Sequence, residues 1–245
     1  MWPMSGSERP SERRGATRTA VLWDALQPVL AGGPGLDVLD VGGGTGGLAV
    51  RVAEQGHRVT VVDPSPDALA ALGRRARELG VEVAGVQGDL ASLAEVVGAG
   101  SVDVVLCHGV LEVVADPAAA LRSLRAVLRP QGRLSLLVAQ RHAAVLARAM
   151  AGHFTQAAAV LRGEDSARSG HRFTAEEVHG LLAEAGLAVH GTHAVRVFAD
   201  LVPGSLLDLE PGATAALLEL ERAVAERPEY LPLATQVHVL AGPAS

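Results

Sequence analysis

The residues best suited to chemistry gather in one short run, Val38-Leu-Asp-Val-Gly-Gly-Gly-Thr-Gly-Gly-Leu48. A glycine-rich turn after a strand lets a ligand approach the backbone closely and meet free N–H groups. Two patterns overlap there. Gly42, Gly44 and Gly47 fit G-x-G-x-x-G, the dinucleotide fingerprint. Asp40, Gly42, Gly44 and Gly46 fit D-x-G-x-G-x-G, which suits a different adenosyl ligand. Asp40 bears on the choice. A pyrophosphate would meet its carboxylate with like charge. S-adenosylmethionine instead carries a sulfonium and an ammonium, which favour a carboxylate nearby. The run therefore leans toward S-adenosylmethionine as the cofactor.

More candidates follow at later strand ends. Asp63, just before Pro64, lies 23 residues after Asp40, where a carboxylate accepts from ribose hydroxyls. Its structural alternative is a cap for a helix starting at Pro66. In Gln87-Gly88-Asp89-Leu90, Asp89 either accepts the adenine amino hydrogens or caps the next helix, and Leu90 can cover the adenine ring. Cys107 reads as a small buried residue. His108 falls at a strand end beside the ligand and is a candidate base for a hydroxyl or amine acceptor. A carboxylate acceptor needs no base but does need a cation to orient it. Arg141, His142, Arg172 and Arg196 are the candidates. Arg196 alternates with apolar neighbours and can face the site; its alternative is a solvated pair with Asp200. Tyr230 either stacks on a base or covers the core. The nine His are scattered, so no metal-ligand constellation forms.

These residues need a scaffold of alternating strands and helices. Leu36–Val41, Arg58–Asp63, Val81–Val86, Val102–Cys107 and Gly132–Ala139 read as strands. Between them, helices are expected at Thr45–Gln55, Pro66–Leu79, Leu90–Val97 and, behind an Asp116 cap, Pro117–Leu128. This alternation argues a Rossmann-like α/β fold: a doubly wound, mostly parallel, seven-stranded sheet with helices on both faces. Beyond Ala139 one or two helices are expected over His142–Leu161 and a polar loop over Arg162–His171. A capping box at Thr174 and Glu177 starts a helix running to Ala185. A strand with a bulge is expected over Leu187–Phe198, a helix over Ala213–Glu226 and a last strand over Gln236–Ala241. The whole, 1–245, reads as one domain: residues 1–14 disordered, 16–31 an N-terminal helix, 36–139 the cofactor core, 140–175 a substrate-side insert or lid, and 176–241 the rest of the sheet.

Composition narrows the partners. The chain is 49% hydrophobic, ample for one large core. Its formal charge is −6, so no global basic field advertises a nucleic acid. All 21 basic residues are Arg. Cys107 is the single cysteine, which excludes an internal disulfide and fits a cytoplasmic setting. No apolar run reaches membrane-spanning length, and the polar N-terminal segment lacks a secretory core.

The ordered set VLDVGGGTG, VTVVDPS, QGDL, CHGVLEVVADP and LRPQGRLSLLV resembles a class I S-adenosylmethionine-dependent methyltransferase. Pieces outside that core, RTAVLWDAL, MAGHF, VRVFADL and ALLELERAVAERPEYLPLATQVHV, are similar to the bacterial tRNA 5-carboxymethoxyuridine methyltransferase family. The resemblance runs from about residue 15 to 241. It implies methylation of a modified wobble uridine's carboxylate to a methyl ester. It also implies that Arg18 pairs with the methionine carboxylate and that Gly42 and Gly43 underlie the methionine. Asp63 would hold the ribose, Gln87 to Asp89 the adenine edge, and Cys107 and His108 the turn over the cofactor. Where the family carries a lysine-rich segment, this chain has Arg162, Arg168 and Arg172 mixed with Glu164 and Asp165. A small-molecule acid is therefore the second acceptor class.

Overall fold

A computed structural model describes residues 10–33, 35–164, 170–207 and 211–244, with side chains described from Arg18 onward. Seven strands form one sheet: β1 (Asp37–Val41), β2 (Arg58–Asp63), β3 (Val83–Gln87), β4 (Val102–His108), β5 (Leu128–Ala139), β6 (Leu187–Val195) and β7 (Gln236–Pro243). Their order is β3-β2-β1-β4-β5-β7-β6, and β7 runs antiparallel to both neighbours. The sheet direction of travel reverses between β1 and β4, so a crevice opens at the carboxyl ends of those two strands.

Helices cover both faces. On one side lie α1 (Pro10–Leu30), α2 (Gly47–Ala53) and α3 (Pro66–Leu79), which bury Leu26, Leu30, Val50 and Leu72 against Val38, Val61, Val104 and Leu106. On the other lie α4 (Leu93–Val97) and α5 (Pro117–Val127), with Leu93, Leu121 and Leu124 against Leu39, Val41, Val105 and Cys107. Side chains alternate along a strand. Asp40 and His108 therefore share the α1 face with Val38 and Leu106. The substrate-side segment adds α6 (Arg141–Met150) and α7 (Phe154–Leu161). Beyond it come α8 (Ala175–Glu184), the short α9 (Gly204–Leu207), α10 (Ala213–Val224) and a 3-10 turn over Pro228–Leu233.

Local chemistry sets several boundaries. Ser65 Oγ accepts from Ala68 N at 3.2 Å to start α3, with Pro66 in the first turn. Asp116 Oδ1 accepts from Ala119 N at 2.9 Å ahead of Pro117. The capping box closes α8: Glu177 N donates to Thr174 Oγ1 at 3.2 Å and Thr174 N to Glu177 Oε2 at 2.9 Å.

Some elements differ from the sequence pattern. The N-terminal helix starts at Pro10, so residues 10–14, expected to be disordered, are helical; residues 1–9 lie outside the described residues. Strand β5 begins four residues early, at Leu128, because Leu128 pairs with Val102 ahead of an irregularity in the ladder. Helix α4 begins at Leu93 rather than Leu90, since Asp89 Oδ1 first accepts from Ala91 N and Ser92 N in a turn. Strand β6 stops at Val195, because the next residue, Arg196, has φ 62°, which a strand cannot continue through. Its expected bulge lies between Val189 and Gly191. Arg168, in the expected polar loop, lies outside the described residues.

Candidate active site

The glycine run folds as a turn that only these residues permit. Gly42, Gly44 and Gly46 have φ of 67°, 56° and 76°. A Cβ on Gly43 would stand 2.5 Å from Asp40 Oδ2, and one on Gly46 2.1 Å from Leu72 Cδ1. Asp63 fastens this turn to β2. Its Oδ2 accepts from Gly44 N at 2.9 Å and its Oδ1 from Ser65 N at 2.8 Å. The helix cap itself is Ser65, so Asp63 holds the loop and keeps lone pairs for a ligand.

Above the turn lies a cleft of about 360 Å³, lined by Arg18, Leu22, Asp40, Gly42, Gly43 and His108 among others. A larger cavity of about 1080 Å³ lies around His57, Arg58 and Val83, at the other ends of the strands, away from the glycine turn. Asp40 is buried, and burial with the nearby Asp63 charge pushes its carboxyl up to about 7, partly offset by Arg18. Burial and then the Arg196 guanidinium lower the Arg18 pKa, while Glu112 and Asp40 raise it. Arg18 Nε, Arg196 Nε and Glu112 Oε2 are all buried without a hydrogen-bond partner. Two cations thus stand close together with unmet donors, an arrangement that receives anions.

Arg196 is the single described non-glycine residue with positive φ. Its Nη2 pairs with Asp200 Oδ2, which also accepts from Thr235 Oγ1 at 2.8 Å. The loop that holds it hangs from Glu221, fully buried on α10. That carboxylate accepts from Val197 N, Phe198 N and Ala199 N at 2.8, 2.9 and 2.7 Å. Glu221 escaped the sequence reading; a lone Glu in a helical pattern gives no sign that its partners lie 22 to 24 residues earlier.

The remaining candidates separate. Arg172 lies near Glu112, whose pKa burial raises and the Arg18 and Arg172 charges lower. Arg141 is committed: Nη1 bridges to Glu177 at 2.7 Å and Nη2 donates to the Arg172 carbonyl at 2.9 Å. His142 is exposed at the start of α6. Tyr230 packs edge-on against Phe198, with ring centroids 5.9 Å apart, in a small satellite core. Gln87 Nε2 donates to the Pro64 carbonyl at 3.2 Å, joining the carboxyl ends of β2 and β3. Gly88 sits against Ser92, Asp89 caps the following turn, and Leu90 leans on the main core. Cys107 is fully buried, and burial pushes its thiol far above the ordinary range. His108 has its pKa pushed down to about 3 by burial and then by Arg18, so its ring is neutral. Among the described residues no group of three or more His, Cys, Asp or Glu can hold a metal, and no helix is long and apolar enough to cross a membrane.

The profile of a methyltransferase domain family matches residues 39–134. Over 237 residues the chain is 35% identical to the tRNA 5-carboxymethoxyuridine methyltransferase of Escherichia coli strain K12, covering 93% of this chain and 88% of that protein. It is 33% identical over 151 residues to the ubiquinone biosynthesis O-methyltransferase of Xanthomonas axonopodis pv. citri, covering 62% of this chain and 61% of that protein. Among solved structures it superposes on magnesium protoporphyrin IX methyltransferase from Synechocystis with bound S-adenosylhomocysteine. That match has a TM-score of 0.61 and 18% identity over 95% of this chain and 83% of the other. An S-adenosylmethionine-dependent methyltransferase from Mesorhizobium loti gives a TM-score of 0.59 and 20% identity over 92% of this chain and 99% of that one.

Proposed function

This chain belongs to the class I S-adenosylmethionine-dependent methyltransferases, in the family of the tRNA 5-carboxymethoxyuridine methyltransferases, and from that premise we propose that it methylates the carboxylate of a modified wobble uridine in tRNA to a methyl ester. The observation that carries the acceptor chemistry is the pair Arg18 and Arg196, two neighbouring guanidiniums with buried, unmet N–H groups. One cation suffices for the methionine carboxylate. Arg196, although its Nη2 pairs with Asp200, keeps a buried unmet Nε–H near Arg18 that suits a second anion.

Residue roles follow from placement. Arg18, on the helix that covers the cleft, holds the methionine carboxylate. Asp40 attracts the cationic end of the cofactor. Gly42, Gly43 and Gly44 bring backbone N–H groups under it. Asp63 takes the ribose hydroxyls, while Gln87, Gly88, Asp89 and Leu90 frame the adenine. The cofactor fits this cleft because the glycine turn and Asp40 line one side and Arg18, with its buried unmet Nε–H, the other. When bound, S-adenosylmethionine supplies an electrophilic methyl group. The chain contributes alignment: an acceptor carboxylate is already a nucleophile at neutral pH, and orientation alone is worth several kcal/mol. Arg196, helped by Arg172, orients that carboxylate, and Asp200 fixes Arg196.

The test is methyl transfer to tRNA bearing 5-carboxymethoxyuridine, read by mass spectrometry of its nucleosides. An ester of the wobble nucleoside is expected; an unmodified acid after full cofactor exposure sinks the proposal. A second reading, methylation of a small-molecule acid, is favoured by Arg162, which spends both Nε and Nη2 on Glu164 at 2.7 and 2.8 Å rather than presenting them to phosphates. RNA binding that weakens steeply with salt excludes that reading.

A further inference from the structure

Four adjacent strands place polar side chains in one row beneath α1. His108 of β4 is opposite Leu137 of β5; Leu137 is opposite His238 of β7; His238 is opposite His193 of β6. Ser135, two residues before Leu137, shares that face. The contacts are continuous. His108 Nε2 meets Ser135 Oγ at 2.8 Å, and Ser135 Oγ meets His238 Nε2 at 2.8 Å. His238 Nδ1 meets His193 Nδ1 at 3.1 Å, and His193 Nε2 lies 3.8 Å from Glu226 Oε1. Ser135 and His238 are fully buried, whereas Glu226 is exposed. One end opens on the cofactor cleft at His108. The other opens on a separate cavity of about 120 Å³ lined by Asp24, His193, Arg222 and Glu226.

We propose that His108, Ser135, His238 and His193 form a proton relay from the cofactor cleft to Glu226, giving the cleft a general base for acceptors whose nucleophilic oxygen arrives as a hydroxyl. Carboxylate methylation releases no proton, so the relay goes beyond that reaction; it rests on the methyltransferase assignment and not on the RNA acceptor. The Glu226 carboxylate beside His193 Nε2 favours a proton on that nitrogen, and this sets the direction of the whole chain. At rest His108 donates from Nε2 to Ser135, the Ser135 hydroxyl donates to His238 Nε2, and His238 donates from Nδ1 to His193 Nδ1. His193 then carries its proton on Nε2, beside Glu226. His108 Nδ1 is left as a lone pair toward the cleft. When a hydroxyl oxygen attacks the methyl group, its proton passes to His108 Nδ1. The Nε2 proton moves to Ser135, the Ser135 proton to His238 Nε2, and the His238 Nδ1 proton to His193 Nδ1. The His193 Nε2 proton leaves to Glu226, and an ether and S-adenosylhomocysteine remain. Burial keeps the rings neutral, so a proton received at His108 is passed on rather than held. The cleft end faces Arg18 of α1 and Asp40 of β1, with Glu112 beyond Arg18. The outer end faces Glu226 and Arg222, with Asp24 of α1 across the cavity.

The experiment uses the full chain, labelled with 15N-histidine and bound to S-adenosylhomocysteine, in wild type, Ser135→Ala and the surface variant Glu226→Ala. Nitrogen spectra at neutral pH are expected to show His108 protonated on Nε2, His238 on Nδ1 and His193 on Nε2. Glu226→Ala is expected to move the His108 signals although it lies three rings away. Rings in an incompatible register, or a His108 indifferent to both substitutions, overturn the relay. In parallel, an anticodon stem-loop bearing the carboxylate is compared with one in which that carboxylate is reduced to a primary alcohol. Ether formation is expected in the wild type and falls about 100-fold in Ser135→Ala, while ester formation persists. Ester without ether from the wild type, or equal loss of ether and ester in Ser135→Ala, also overturns the proposal. A wild type that makes neither product sinks the RNA reading instead, and the nitrogen spectra then decide the relay.

Discussion

Asp40 holds a buried carboxyl whose pKa stands at about 7, against an ordinary value of 3.8. As pH rises from about 4 to 7 the unfolded chain gives up this proton first, so stability declines across that window. Above pH 7 the full penalty applies, up to about 4 kcal/mol for three units. Asp40→Asn is therefore expected to raise the melting temperature at pH 8 and to leave it unchanged near pH 4, as thermal scans at the two pH values will show. The same substitution is expected to weaken S-adenosylmethionine, because the cation loses its partner. In the wild type, cofactor affinity measured by calorimetry should fall below pH 7, by up to about tenfold per unit, as the carboxylate protonates. Arg196→Lys separates cofactor from acceptor. It keeps a charge but loses the fork, so methyl transfer is expected to drop about tenfold or more while cofactor binding holds; equal loss of both would place Arg196 with the cofactor. The two Asp and the glycines were legible in the sequence because strand ends and turns announce themselves locally. The histidine row was not, because His193 and His238 are 45 residues apart and meet only through the antiparallel β6–β7 ladder.

Short-range chemistry made most elements readable. Strand β2 and helix α3 run over the residues expected from period and capping, since Gly56, Pro66 and Gly80 punctuate them. The failures have physical causes. Leu128-Arg-Pro-Gln-Gly132 carries turn residues yet belongs to β5, because its start pairs with β4 rather than turning back. Strand β3 is a half-exposed edge with Gly85 in its centre, so its pattern is weak. The end of β6 is set from outside, by Glu221 pulling three backbone N–H groups of the following loop onto α10. Glu221→Ala strands those donors and is expected to cost about 3 kcal/mol. Denaturant titration will give the loss, and methyl transfer should fall further than cofactor affinity because the loop carries Arg196. Unchanged stability would mean that water replaces the carboxylate.

At the scale of the molecule, α1 acts as the cover that joins the cofactor half to the rest. Arg51 of α2 lies 3.8 Å over the Trp23 ring, and Arg222 of α10 pairs with Asp24 at 2.7 Å. A ligand beneath α1 thus draws on contacts from both halves. S-adenosylhomocysteine at a hundred times its dissociation constant is expected to add about 2.7 kcal/mol, a rise of about 5–10 °C for a chain of this size. NAD at the same concentration should leave the melting temperature unchanged; a comparable rise with NAD would revive the dinucleotide reading of Gly42, Gly44 and Gly47. The sheet order has a consequence for how the chain is made. Strand β7 closes the gap between β5 and β6, yet it leaves the ribosome after both of them. Five strands and the glycine turn can assemble before the roughly hundred residues from the end of β5 to the end of β7 are translated, a wait of about 5–20 s. During that interval the apolar edge of β5 over Leu134–Ala139 stands without its neighbour, and the glycine turn is already in place while the loop that presents Arg196 has no place to dock.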